Sequence, residues 1–198
     1  MRKRLMTTIA AGVLGGALVL TGCSTVGDQG HQGHGGSNST SSPASSDGGM
    51  DHSSMEHPMD GGPAPAGIEK ATSPKYPVGT KVTLTADHME GMDGAKATIV
   101  GAFDTYTYAV NFTPTTGGEP VKDHKWVVQQ EIKDAGKQRL ADGTEVTLEA
   151  EHMKGMKGAK ATIASSTDQT VYMVDYEAGG MKMTNHKWVV ESEIKPAS

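Results

Sequence analysis

The 198-residue chain contains one cysteine, Cys23. No intramolecular disulfide can form, so any folded part must be held by packing and hydrogen bonding. Aromatic residues are also scarce, with two Trp, five Tyr and two Phe, which leaves Val, Ala, Ile and Met to build a core. Beyond the first twenty residues there is no helical periodicity. No Gly-x-Ser-x-Gly elbow, phosphate loop or dinucleotide fingerprint occurs, so no enzyme class is indicated. The adjacent pairs Asp87-His88 and Asp123-His124 do not supply an acid–base dyad, because neighbouring residues on a strand point to opposite faces. Positive charge is in deficit as well: 18 Lys and Arg stand against 23 Asp and Glu. That balance argues against nucleic acid and anionic lipid as partners.

What the sequence does contain begins with an export signature. Arg2, Lys3 and Arg4 precede an apolar run from Leu5 to Leu20, too short and too rich in glycine to span a bilayer comfortably. The run ends in Leu20-Thr21-Gly22-Cys23, which resembles a bacterial lipobox. The resemblance implies cleavage after residue 22 and acylation of Cys23 with a diacylglycerol, the pair of chains that stable anchoring requires, together with palmitate-type N-acylation chemistry. The mature chain is then expected outside the cytoplasmic membrane, its formal charge moved from −5 to −8 by the loss of Arg2, Lys3 and Arg4. Residues 23–74 hold few large apolar side chains and read as a disordered tether rich in Gly, Ser, His and Met.

The folded part is written twice. Residues 79–99 and 143–163 are identical at 16 of 21 positions, and Asp123-His-Lys-Trp-Val-Val128 returns as Asn185-His-Lys-Trp-Val-Val190. Glu131-Ile132 likewise returns as Glu193-Ile194. Period-two alternation marks strands at Val82–Ala86 and Val146–Ala150, with further strands at 97–100, 106–112 and 125–128. Gly-containing Met-x-Gly-Met-x-Gly segments supply turns. The expected fold class is therefore all-β: two tandem small SH3-like barrels, at residues 75–134 and 139–196, each closing its own core around Trp126 or Trp188.

The twin Ala-Asp-His-Met-Glu-Gly-Met-Asp-Gly-Ala and Asp-His-Lys-Trp-Val blocks, with the lipobox and the His/Met-rich tether, resemble the YdhK-type bacterial lipoproteins. The resemblance implies the repeat fold, an envelope location and an association with copper-handling neighbours, and it implies no activity.

Candidate ligands fall in two groups. The tether carries His31, His34, Met50, His52, Met55, His57 and Met59. Each repeat adds a His-Met-x-x-Met group: His88, Met89 and Met92 in the first, His152, Met153 and Met156 in the second. His124 and His186 stand as possible fourth ligands. Thioether sulfur is soft and imidazole borderline, so mixed clusters of this kind favour Cu(I), while imidazole with carboxylate also holds Cu(II). In the repeats a plain structural role competes with this reading: the histidines would cap the barrels through hydrogen bonds and the methionines would fill gaps in the core. The leading expectation is an envelope lipoprotein that buffers or sequesters copper or a similar soft metal. The alternative is a non-catalytic SH3-like module that holds cell-wall peptide or an envelope protein.

Overall fold

The structure, a computed structural model, describes residues 57–197. The signal segment, Cys23, and the tether ligands His31, His34, Met50, His52 and Met55 lie outside the described residues. From residue 57 onward the chain is all-β apart from two 3-10 turns, as its alternating pattern predicts.

Among the described residues, ten strands form two antiparallel sheets. The first repeat supplies β2 (Lys81–Leu84), β3 (Lys96–Asp104), β4 (Thr107–Phe112) and β5 (Val121–Val128). The second supplies β6 (Glu145–Thr147), β7 (Lys160–Thr167), β8 (Val171–Ala178), β9 (Met181–Val190) and β10 (Ile194–Pro196), while β1 (Glu69–Lys70) precedes both. The sheets are not closed barrels, and neither is built from one repeat. One runs in the order β10-β2-β3-β8-β9, with β1 added to β3, and the other runs β5-β4-β7-β6. Strand β3 pairs with β8, Ala97 opposite Tyr176, and β4 pairs with β7, Phe112 opposite Ala161. Each repeat is thus split, the first between β3 and β4 and the second between β7 and β8, and its two halves go to different sheets.

This exchange corrects the expectation that residues 75–134 and 139–196 each close a separate core. One core joins Val82, Leu84, Met92 and Ile99 to Tyr172, Val174, Met183 and Ile194. The other joins Tyr108, Val110, Val121 and Ile132 to Leu148, Met156, Ala161 and Ile163. We refer to these composite bodies as lobe 1 and lobe 2. A third cluster, with Phe103, Val128, Val171, Met173, Trp188 and Val190, is drawn from both sheets. Trp188 is fully buried there and Trp126 packs at its margin, so the tryptophans anchor the junction and not a core belonging to one repeat. Full burial of an aliphatic side chain is worth about 1.5–3 kcal/mol, and each core gathers its buried side chains from both repeats.

The reason lies in the short link between β3 and β4. Only Thr105 and Tyr106 separate them, and β4 does not fold back on β3. The chain instead runs on into the second sheet, where Gln129 N–H donates to the Tyr106 carbonyl at 2.9 Å.

Residues 57–74 correct a second expectation, since they belong to the fold and not to a disordered tether. Asp60 bridges Thr184 in parallel, and Thr184 N–H donates to the Met59 carbonyl at 2.8 Å. Gly61 passes so close to β9 that a β-carbon would stand 2.1 Å from the Asn185 carbonyl oxygen, a contact only glycine avoids. Ala64 and Ile68 then pack on the junction cluster.

A single repeat isolated as residues 75–134 lacks the partner strands of both its halves. It is expected to be either unfolded or a dimer of exchanged chains, checked by circular dichroism with analytical ultracentrifugation. A folded 60-residue monomer would contradict the exchange.

Candidate functional site

The strand exchange brings together histidines far apart in sequence. His57, His88, His124, His152 and His186, all five described histidines, line one small cavity of about 30 Å³ together with Met89, Lys125, Glu151 and Lys187. That volume holds one water or one monatomic ion.

His88 and His152 occupy equivalent turns after β2 and β6, and each is gripped by a glutamate of the other repeat. His88 Nε2 lies 2.7 Å from Glu193 Oε1, and His152 Nε2 lies 2.8 Å from Glu131 Oε1. The second carboxylate oxygen is also engaged. Glu193 Oε2 accepts from Trp126 Nε1 at 2.9 Å and from Val190 N–H at 3.0 Å. Glu131 Oε2 accepts from Trp188 Nε1 at 2.9 Å and from Val128 N–H at 3.1 Å. Both glutamates sit in the 3-10 turns that follow β5 and β9, which fold the carboxylate back over the strand end.

These contacts decide the charge state of the glutamates. Burial pushes the Glu131 carboxyl upward, yet the His152 charge and the bonds from His152, Trp188 and Val128 outweigh it and hold the group below its ordinary range. Glu193 follows the same balance, with burial opposed by His88, Val190 and Trp126. An ionised carboxylate only accepts, so Nε2 of each histidine carries the proton. In the neutral ring the lone pair is then on Nδ1. Both Nδ1 atoms are buried and have no hydrogen-bond partner among the described residues.

His124 and His186 reach the cavity from β5 and β9 by a local distortion of the ladder. Register shifts flank both positions, and the preceding Asp123 and Asn185 adopt φ of 50°, a left-handed conformation that these two residue types tolerate. Their N–H groups are taken by Asn111 Oδ1 at 2.8 Å and Asp175 Oδ1 at 2.7 Å. The His124 ring stands 6.1 Å from that of His152 and 6.5 Å from that of His57, while His186 meets Tyr176 edge-on. His186 Nε2 is buried without a hydrogen-bond partner among the described residues. Burial, reinforced by repulsion from His88, His152 and His57, pushes the His186 imidazole down to about 3. Lys187 is also lowered by burial, against the pull of Glu131, Asp60 and Glu151.

The methionines divide. Met89 lines the cavity, its sulfur 3.6 Å from the Tyr176 hydroxyl. Met92 and Met156 are fully buried in the two cores, and Met153 is buried in the second. The expected gathering of two sulfurs and one imidazole in each repeat is therefore not present, and these three act as packing. Met59 is exposed. As the side chains stand, no three His, Cys, Asp or Glu among the described residues are arranged to share a metal ion. The residues that sequence reasoning missed are Glu131 and Glu193. Their one signal was retention of the Glu-Ile pair in both copies.

A family model described as "Protein of unknown function (DUF1541)" matches residues 78–129 and 142–191. The chain is 52% identical over 145 residues to "Uncharacterized protein YdhK" of Bacillus subtilis (strain 168), covering 72% of this chain and 70% of that protein. A crystal structure of a DUF1541 family protein, ydhK, from the same organism superimposes with a TM-score of 0.68 at 52% identity, covering 69% of this chain and 94% of that one. A solution NMR structure of the ydhK C-terminal domain gives a TM-score of 0.58 at 55% identity, over 61% of this chain and 92% of that one.

The site makes stability fall with acid. His186 has its folded value depressed from 6.5 to about 3, so its contribution is fully present above 6.5 and is lost as pH falls toward 3. Glu131 and Glu193, also depressed, add to the loss below their ordinary value of 4.5. Urea midpoints measured from pH 7 to pH 4 are expected to decline throughout, and His186→Phe should flatten the decline above pH 4.5.

Proposed function

This chain belongs to the DUF1541 family of unknown function, and from that premise we propose that it is a non-catalytic envelope lipoprotein, anchored through Cys23, that captures copper or a similarly soft metal. The observation that supports the reading is the convergence of five histidines on one ion-sized cavity, where the buried nitrogens His88 Nδ1, His152 Nδ1 and His186 Nε2 lack a hydrogen-bond partner among the described residues. Leaving such atoms unpaired costs about 1–3 kcal/mol each, a cost that an added ligand removes. The pairing of Glu131 with His152 and of Glu193 with His88 is the carboxylate–histidine arrangement that orients metal-binding imidazoles and raises their basicity.

Those three nitrogens are the donors of this site, with the Met89 sulfur beside them. Neutral His186 is competent across the physiological range, since a metal binds only the deprotonated ring. Borderline imidazole nitrogens with a soft thioether sulfur beside them favour Cu(I) or Ag(I) over hard divalent ions. As they stand the rings do not form a shared metal site, and capture requires them to shift. His57, at the end of the His/Met-rich tether, accompanies the cavity with its Nδ1 3.1 Å from the His152 carbonyl oxygen. The tether thus delivers ions from dispersed, weak ligands to the enclosed site.

Titration of the mature chain with Cu(I) is expected to move the ring signals of His88, His152 and His186 in NMR spectra. Glu131→Gln is expected to weaken the tightest binding about 10–100-fold, and Met92→Leu to leave it unchanged. Unmoved histidine signals at stoichiometric Cu(I) would refute the reading.

A further inference from the structure

The two lobes are related by the sequence repeat, so each place in one has a counterpart in the other, and one counterpart is unfilled. In lobe 1 the outer edge of β2 is covered by β10, with Ile194, Lys195 and Pro196 opposite Leu84, Thr83 and Val82. In lobe 2 the equivalent cover starts in the same way. Ile132 lies opposite Leu148, and Lys133 N–H donates to the Thr147 carbonyl at 2.9 Å. At Asp134, with φ of 54°, the chain turns away. Strand β6 is left as the last strand of its sheet, and no strand among the described residues covers the edge beside Val146 and Glu145.

A side-chain difference enlarges the opening. Tyr76-Pro-Val-Gly79 corresponds to Leu140-Ala-Asp-Gly143, and both segments make the same turn, with Gly79 N–H to the Ile99 carbonyl and Gly143 N–H to the Ile163 carbonyl at 2.8 Å each. Tyr76 is buried in lobe 1, and its hydroxyl donates to the Ile194 carbonyl of the covering strand at 3.1 Å. Leu140 fills less of that space. The result is an open groove of about 870 Å³ whose lining includes Ile132, Ala135, Leu140 and Val146 on its apolar side and Glu145 and Lys160 on its polar side.

The edge is chemically ready for a strand. Leu148 bonds inward, its N–H donating to the Ala159 carbonyl and its C=O accepting from Gly158 N–H just ahead of β7, and the Thr147 C=O accepts from Lys133 N–H on the outer side. By alternation the Glu145 N–H and C=O also face outward. An unpaired edge above an apolar floor is the geometry of β-strand addition, in which main-chain bonds give affinity and alternate side chains give selectivity.

We propose that this groove accepts an extended peptide segment of a partner protein, added antiparallel to β6, with an aromatic residue opposite Val146 and a basic residue opposite Glu145. The molecule itself displays the form of the occupant: β10 and the Tyr76 ring do in lobe 1 what the partner does in lobe 2. The proposal is independent of the metal reading, because the groove includes none of the cavity histidines.

The test is a titration of the ¹⁵N-labelled mature chain with the probe acetyl-Tyr-Lys-Val-Thr-amide. Amide signals of Leu140, Glu145 and Thr147 are expected to shift and saturate. Leu140→Tyr, which restores the lobe 1 filling, should weaken the probe at least tenfold. Glu145→Pro removes the outward N–H at an edge position where proline is tolerated, and should abolish binding while the other signals stay in place. The proposal is overturned if no saturable shift occurs, if both variants bind as the parent does, or if the same signals move with protein concentration alone, which would make a second copy the occupant.

Discussion

Two carboxylates, one buried and one partly buried, hold this molecule in its arrangement. Glu131 of the first repeat grips His152 and Trp188 of the second, while Glu193 of the second grips His88 and Trp126 of the first. Every one of these bonds crosses between the repeats. An ionised carboxylate that burial has drawn away from water depends on these donors, and removing them is strongly destabilising because the charge is left stranded. The pairs therefore fix the exchanged topology at the point where the sheets meet, and they set the tautomer of the rings that face the cavity. Structure and candidate chemistry depend on the same four contacts.

The cavity is a product of the exchange and not of either repeat. Within one repeat, His88 and His124 leave in different directions, one after β2 in lobe 1 and the other on β5 in lobe 2. The halves meet again only because the second repeat makes the same division in reverse. A site assembled in this way has near-symmetric halves with unequal surroundings. The strap Met59–Gly61 attends β9, where Thr184 receives it, and Lys122 stands at the corresponding place on β5, while His57 lies beside His124 and His152.

How much of this could be read from the sequence depended on the range of the interaction. Strand positions such as Val82–Leu84 and Val146–Thr147 follow from alternation, and the turn at Gly91 and Gly94 follows from glycine spacing with φ of 74° and 80°. The core roles of Met92 and Met156 were open beforehand, since a thioether fits apolar packing and soft coordination equally well. The exchange itself was illegible. Two near-identical repeats offer near-identical partner strands, so β3 meets the same apolar pattern on β4 as on β8, and alternation cannot choose between them. Once the partner strand is misassigned, Glu193 cannot be joined to His88, 105 residues away. Residues 57–74 were likewise concealed by composition, because their order comes from β9 and from the junction cluster and not from any apolar pattern of their own.

The position of β10 has a consequence for how the chain is made. Ile194 to Pro196 complete the edge of β2, more than a hundred residues earlier in the chain. A polypeptide that emerges amino terminus first therefore has to keep β2 waiting with one flank bare until residues 194–196 appear. Lobe 1 is begun before lobe 2 and completed after it, and the loss of β10 alone would reopen one of the earliest strands described.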